Sequence, residues 1–460
     1  MTPAPAPRET TETTMRLPRR NLLTAAAAAT AAVSLSTSPA SAGGPRTPPK
    51  GRILIRGGHV VDTEPRPTAR PGTDVLVEGG RIAAVGRGLR AAGATVVDAT
   101  GHIVLPGFVD THRHLWQTAL RSASVDIGLD AYFGLLHQVG PRFRPQDVHI
   151  ATLAGALECL DAGITTQLDF AHIAYTPDLA DAAVDALETA GLRTVFGYGT
   201  PVDVTGGGQL ADVRRVRERL ADDTALVTMA YAPLGPLSTP METVTADWRI
   251  ADELDLPLTA HLAAGPPNPH PVTALRDAGL LRRRALYVHL NGVGDDELKL
   301  IADSGAAASA TPGDDAARLK RAGITTGTGV DTVAFSPGDM FSTMRAVHLA
   351  GQGQPGTTAA DVLRMATLDG AAALGLADRI GSLCPGKQAD IVMIRLDDLN
   401  MLTAERDPVD AVVTAAQPHS VDTVLVAGKV VKSGGRLVHA DVRRTARALR
   451  ATAAVVTGRG

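Results

Sequence analysis

Cysteine, aromatic side chains and net charge are all scarce in this chain, and each scarcity removes a class of reading. The two cysteines, Cys159 and Cys384, stand far apart in sequence, so they form neither a zinc knuckle nor a C-x-x-C redox pair. They read as two buried free thiols, with a disulfide as the alternative in an exported chain. Forty-five basic residues against 48 acidic ones leave a net charge of -3, which supplies no field for nucleic acid or an anionic membrane. Aromatics are 3% of the chain. Beyond the N-terminal segment, no apolar run has the length of a membrane helix.

What is abundant is aliphatic. Hydrophobic residues make up 44% of 460, enough to bury the core of one large barrel and a satellite domain. The first 42 residues have the layout of an export signal. Arg19-Arg20 precede an apolar run over residues 22–35, and Ala40-Ser41-Ala42 offers a cleavage site. Paired arginines there point to twin-arginine export, hence to a secreted or extracytoplasmic protein. Translation from Met15 would give a signal of more usual length. The alternative reading is an Ala-rich tail.

Residues 43–50 form a Gly/Pro-rich linker. Short β-type runs follow at residues 52–55, 74–77, 82–85 and 95–97, and again near the other end at 390–394, 423–426 and 429–431. Glycine pairs punctuate them as turns. These two sets, residues 51–102 and 383–437, predict a small composite β-sandwich assembled from both chain ends. Residues 438–460 read as a C-terminal helix or tail. Between the sets, over residues 103–382, strand-like and helix-like stretches alternate. The strand candidates are 103–109, 164–170, 194–198, 225–230, 258–261, 285–289, 306–310 and 325–330. Amphipathic stretches at 147–160, 179–192, 210–220, 242–253 and 295–303 separate many of them. Alternation implies a parallel sheet, and eight units imply an α/β fold of the TIM-like (β/α)8 barrel type.

The strongest local motif is Asp110-Thr111-His112-Arg113-His114, following the first candidate strand. In an extended backbone His112 and His114 point the same way, so both imidazoles can reach one ion. An H-x-H pair alone says little. Its position says more, because Asp169, His261, His289 and Asp331 recur where other candidate strands end. Active sites of such barrels are built at the C-terminal strand ends. Neutral imidazoles with a carboxylate suit Zn²⁺, Fe²⁺ or Mn²⁺, and a metal there acidifies bound water. Trp116 and Gln117 either line the mouth and touch substrate or pack beneath the first loop, and His172 faces the same choice. His59, His149, His348 and His439 belong to no such pattern. Arg282-Arg283-Arg284 reads as a solvated helix end. Gly206-Gly207-Gly208, with no phosphate-loop lysine after it, reads as a loop.

From about residue 52 to 437 the sequence resembles the amidohydrolase superfamily. The resemblance rests on residues 104–114, on Ala162-Gly163-Ile164-Thr165-Thr166, on Gly329-Val330-Asp331, and on residues 381–392 and 423–431. The branch is similar to the cytosine deaminase, guanine deaminase and triazine hydrolase group. The resemblance implies His112, His114, His261 and Asp331 as ligands of one divalent metal ion, Zn or Fe. It implies His289 and Asp331 as catalytic residues, and Trp116, Gln117 and His172 as candidate substrate contacts. Ala232 and Pro233 occupy the place where a carbamylated lysine would bridge two metals, which favours one. The implied activity is metal-dependent hydrolysis of a non-peptide carbon–nitrogen bond (amide, lactam or amidine-like) in a small molecule, with no nucleic-acid or membrane partner and room for a homo-oligomer.

The sequence departs from the branch at one instructive place. Ring deaminases there carry a Glu three residues after the fifth-strand histidine, and this chain has Ala264. The segment after the seventh candidate strand is also altered, to Ala308-Ser309-Ala310-Thr311-Pro312. Asp169, Asp314 and Asp315 are the candidate replacement acids. The departure leaves open a lyase, a hydrolase of C–O or C–halogen bonds, and a non-catalytic extracytoplasmic binding protein.

Overall fold

The computed structural model describes residues 51–201, 210–237 and 239–458. The export-signal segment 1–42, the linker 43–50 and Gly206-Gly207-Gly208 lie outside the described residues.

Eight parallel strands form the central sheet: Phe108–Arg113, Ile164–Ala171, Arg193–Gly199, Val227–Ala232, Leu258–Ala263, Ala285–Asn291, Ala307–Ala310 and Thr325–Thr328, paired in chain order. The first and last meet through a bridge between Arg113 and Asp331. Two hydrogen bonds make that closure, Asp331 N to His112 O at 2.8 Å and His114 N to Asp331 O at 3.0 Å. The barrel is thus closed by candidate site residues themselves. The fourth and fifth strands share a single paired position, Leu258 with Tyr231.

The helices between strands follow from ordinary start and stop signals. Pro177–Ala190 opens with proline at its first position and stops at Gly191, whose φ of 70° an L side chain rarely adopts. Asp295–Ser304 carries Asp295, Asp296 and Glu297 in its first turn, where the helix dipole favours negative charge. The N-terminal mouths of the strands are plugged by Leu368–Ala373 and the turn after it. Ala373, Leu374 and Leu376 pack on an interior cluster of Leu168, Phe170, Val195, Ala230, Leu286 and Val288. The barrel is therefore a packed core, with room for chemistry only at the opposite rim.

The second sheet joins both chain ends. Its hydrogen-bonded path runs from Arg436–Leu437 through Lys429–Ser433, Val421–Val426, Ile391–Arg395, His102–Pro106, Ile53–Asp62 and Thr68–Glu78 to Arg81–Gly86, with Thr95–Asp98 beside Ile53–Asp62. Ile53, Val77, Ile82, Val104, Met393 and Leu425, drawn from across that path, share one apolar cluster. A buried ion pair ties this sheet to the barrel: Arg193 Nε and Nη2 donate to Asp390 at 2.9 and 3.0 Å.

One strand differs from the sequence reading. The run 103–109 is not the first barrel strand; it is split. His102–Pro106 belongs to the composite sheet, and the barrel begins at Phe108. Pro106 has no N–H to continue a ladder. At Gly107 a Cβ would lie 2.0 Å from Thr165 Oγ1, so only glycine lets the chain cross between sheets there. The H-x-H motif accordingly lies at the end of a strand and just beyond it, and not wholly after it. The fourth strand also sits two residues later than read, at Val227–Ala232. Both cysteines are free thiols. Val442–Thr457 is a helix, anchored by Thr452 Oγ1 donating to Asp147 Oδ1 at 2.8 Å. Among the described residues no helix is long and apolar enough to cross a membrane.

Candidate active site

The rim is built first by an irregularity. Between Asp110 and Arg113 the first strand advances three residues while its neighbour advances two, from Gln167 to Asp169. Such a bulge re-aims side chains, and bulges concentrate beside active sites. Here Arg113 turns to the helix layer, where it donates to Asp110 Oδ2 at 3.4 Å, Gly338 O at 3.0 Å and Glu158 Oε2 at 3.0 Å. His112 and His114 turn inward. Asp110 fastens the arrangement: its Oδ1 accepts from His112 N at 3.2 Å and Val330 N at 3.1 Å, clamping the first strand end to the last. Burial pushes the Asp110 carboxyl up to about 6 despite the neighbouring Arg113.

Four strand ends converge inside. The ring of His112 stands 4.9 Å from that of His114, 4.8 Å from His261 and 5.5 Å from His289, centroid to centroid. His114 stacks on His261 at 5.4 Å. Asp331 Oδ1 lies 3.2 Å from His112 Nε2 and 3.5 Å from His114 Nε2. Ligand-type atoms of His112, His114 and His261 fall within 4.8 Å of one another, as do those of His112, His289 and Asp331. Phe170 forms the floor, its ring 4.2 Å from His112.

The electrostatics are those of a cation site. Burial holds the pKa values of His114 and His261 well below the ordinary histidine value, with the crowding of other imidazoles adding to it, and burial lowers His112 as well. Neutral imidazole is the form that binds metal. Burial alone would raise the Asp331 carboxyl, but the hydrogen bond from His112 and the surrounding imidazoles outweigh it and hold Asp331 well below the carboxylate range. His112 Nδ1 is buried with no hydrogen-bond partner, and His114 has its Nδ1 committed to Phe170 O at 3.1 Å, which aims Nε2 inward. Neutral imidazoles whose ligand-type atoms crowd together beside an ionised carboxylate fit a divalent metal ion.

His289 is oriented differently. Its Nδ1 meets Asp314 Oδ2 at 3.1 Å. Burial opposes charge on this ring, but Asp314 and the Asp331 charge prevail and raise its pKa. His289, Leu290 and Asp331 have φ of 72°, 60° and 70°. Each such left-handed residue costs of order 1 kcal/mol, and strain of this kind collects at functional sites.

The other candidates separate. His172 stands beside the cluster, its ring 5.5 Å from His261, with Nε2 bonded to Ala232 O at 2.9 Å and its pKa pushed down to about 4 by burial. Gln117 is buried; its Oε1 accepts from Tyr132 Oη at 2.8 Å and from Thr332 Oγ1, next to Asp331. Trp116 is buried in the main apolar cluster, edge-on to Phe143 at 5.4 Å. Asp169 does not face the mouth. It accepts from Leu115 N at 3.0 Å behind the first loop, and burial pushes it up to about 7. Asp315 caps the helix Ala316–Arg321 through Arg318 N. Of the three candidate acids, only Asp314 touches the cluster. Ala264, where the branch carries glutamate, bonds through its backbone N to Asn291 O at 2.9 Å and adds only a methyl.

Asp110 belongs to the motif but its clamping role was not legible there, and Tyr132, Phe170 and Thr332 had no signal in sequence beyond the last two standing next to Asp169 and Asp331. A groove of about 1340 Å³ runs between the helix Pro145–Asp161, the C-terminal helix and residues 426–431. It holds none of the clustered histidines, so size does not locate the site.

Comparison with known proteins identifies the family and the fold. The pattern of the Amidohydrolase family matches residues 103–431. The 5-methylthioadenosine/S-adenosylhomocysteine deaminase of Symbiobacterium thermophilum is 30% identical over 422 residues, 83% of this chain and 93% of that one. An adenosine deaminase from Xanthomonas campestris with bound zinc superposes with a TM-score of 0.79 at 26% identity, covering 87% of this chain and 97% of its own. Atrazine chlorohydrolase from Arthrobacter aurescens, complexed with zinc, gives 0.76 at 25% identity, covering 87% and 100%. This chain belongs to the amidohydrolase family.

Proposed function

We propose that the protein hydrolyses a carbon–nitrogen bond at an sp² carbon of a small molecule: an amide, a lactam or the amidine-like carbon of an N-heterocycle. The observation that carries this is the meeting of His112, His114, His261, His289 and Asp331 at one rim. His112, His114, His261 and Asp331 would hold one divalent cation, Zn or Fe. Such an ion, when bound, lowers the pKa of water enough to supply hydroxide near neutral pH. Asp331 stays ionised in this setting and is the proton acceptor at the rim. His289 orients water or a substrate N–H. Gln117 and His172 flank the cluster and supply polar contacts, while Trp116 supports the first loop from behind. Phe170 and the plug beneath it keep water from entering below. The relatives named as deaminases support the C–N reading.

A second reading is favoured by Ala264. An amine leaving group needs a proton, whereas a halide does not, and the acid that the branch uses for that transfer is missing. Hydrolysis of a C–halogen bond on the same site is therefore the alternative. One screen separates them. Metal-loaded protein is incubated with amides, lactams and substituted N-heterocycles, and ammonia, halide and carboxylate are assayed. Ammonia or carboxylate release abolished by chelation is the expected result. Halide release alone selects the second reading, and a ligand retained unchanged would indicate a binding protein.

We also infer twin-arginine export from Arg19-Arg20 and Ala40-Ser41-Ala42. N-terminal sequencing of protein recovered outside the cytoplasm should begin at Gly43.

A further inference from the structure

We infer that Asp314 is a positioning residue for His289: it fixes the imidazole as the Nδ1–H form and so presents Nε2 as a hydrogen-bond acceptor. The inference rests on the hydrolase reading for its kinetic consequence, but not for its structural content.

The geometry is specific. Asp314 Oδ2 accepts from His289 Nδ1 at 3.1 Å, from Thr311 N at 2.7 Å and from Thr311 Oγ1 at 3.0 Å, while Oδ1 accepts from Asn291 Nδ2 at 3.1 Å. Asp314 is 6% exposed. Both oxygens are thus pinned before the imidazole is considered, and the carboxylate cannot turn away from it. A carboxylate accepts and does not donate, so the ring nitrogen facing it carries the hydrogen. In neutral imidazole the other nitrogen then holds the lone pair. Thr311 Oγ1 also lies 3.3 Å from Nδ1, and its hydrogen is directed at Asp314, so it does not compete as a donor to the ring.

Backbone and side chain act together here. His289 and Leu290 both sit at positive φ, where the sixth strand bulges between His289 and Asn291. Asn291 is itself bound to Asp314. One carboxylate therefore ties the strained sixth strand end to the loop after the seventh strand. That loop is where the sequence departs from the branch. Asp314 stands on the same rim as Ala264, which has lost its acid, and it is the only one of the candidate acids in contact with the histidine cluster. It acts through His289 and does not reach the reacting atoms. Nδ1–H against Asp314 makes His289 an acceptor toward water or a substrate N–H, whereas the opposite tautomer would make it a donor to a carbonyl oxygen.

The test is a ¹⁵N–¹H correlation spectrum of ¹⁵N-histidine-labelled, zinc-loaded protein at pH 9, with the His289 signals assigned by their loss in His289→Gln. The wild type should show the Nδ1–H form. Asp314→Asn retains an acceptor oxygen and should keep that form, while Asp314→Ala should populate both tautomers. On a substrate found in the product screen, Asp314→Ala should lower kcat by about 10- to 100-fold with KM changed far less, and Asp314→Asn should recover part of the loss. An Nε2–H form in the wild type overturns the inference even if Asp314→Ala fails to fold. An unchanged tautomer in folded Asp314→Ala overturns it as well. If no substrate is found, the hydrolase reading fails while the tautomer result still decides the role of Asp314.

Discussion

Adding one methyl group at Gly329 should disable the site without touching a ligand. A Cβ built there lies 2.6 Å from His112 N, 2.7 Å from His112 Cβ and 2.8 Å from His112 O. All three are atoms of the first strand's backbone or its rigid root, so no flexible side chain can yield. Restoring a 3.4 Å contact, the lower edge of ordinary packing, requires the first and last strands to part by about 0.8 Å. The bond from Asp331 N to His112 O, 2.8 Å long, would then stretch to about 3.6 Å, outside hydrogen-bond range. That bond closes the barrel and sets the distance between His112 and Asp331. Overpacking of this kind costs about 1–3 kcal/mol in stability. The larger effect is local, since displacements near 1 Å at a catalytic rim lower rates about 10²-fold. The assay is metal affinity by chelator competition, followed by turnover on whichever substrate the screen identifies. Gly329→Ala should bind metal at least tenfold more weakly and lose about two orders of magnitude in rate. Gly134→Ala is the matched control: it sits in the helix Leu129–Val139 with nothing within 4 Å of its added Cβ. It should gain about 0.5–1 kcal/mol and leave the site unchanged. Wild-type metal affinity and rate in Gly329→Ala would refute the claim that the strand 1–strand 8 closure sets the site's geometry.

Other outcomes follow from the same structure. His112→Ala should retain far-UV circular dichroism and lose bound metal in elemental analysis; full metal content would remove His112 from the ligand set. Arg193→Met should destabilise the fold by about 3–5 kcal/mol, because it leaves the Asp390 carboxylate buried and unpaired; Arg193 is 3% exposed and Asp390 likewise. A denaturation midpoint equal to that of the wild type would show that the ion pair contributes nothing net. Asp169→Asn tests the buried carboxyl behind the first loop. Its folded pKa is raised to about 7 by burial, so the neutral form is preferred on folding. Its contribution is complete below the ordinary carboxylate value and is lost as pH rises through about 7. Melting temperatures across pH 4 to 8 should therefore fall more in the wild type than in Asp169→Asn, and parallel curves would contradict the assignment.

Much of the fold was legible because it follows from local rules. Amphipathic stretches alternating with aliphatic strand-like runs show the barrel, and the five helices read from periodicity fall within two residues of the observed ones. The error at residues 103–109 has a definite cause. The apolar run is continuous in sequence, yet it serves two sheets, and only the absence of space at Gly107 divides it. The separation of Asp169, Asp314 and Asp315 was beyond the sequence for a similar reason. All three are acids near strand ends, and nothing in residue type tells a loop clamp from a helix cap or from a partner of His289.

What the sequence determined alone was chemical identity: an H-x-H pair and further histidines and an aspartate at strand-end spacing, with alanine where an acid belongs. Only the folded chain decided direction. A one-residue slip between Asp110 and Arg113 turned two imidazoles inward and an arginine outward, and positive φ at His289 and Asp331 aimed the rest. Side-chain type is carried by each residue separately, whereas where it points depends on contacts between strands hundreds of residues apart.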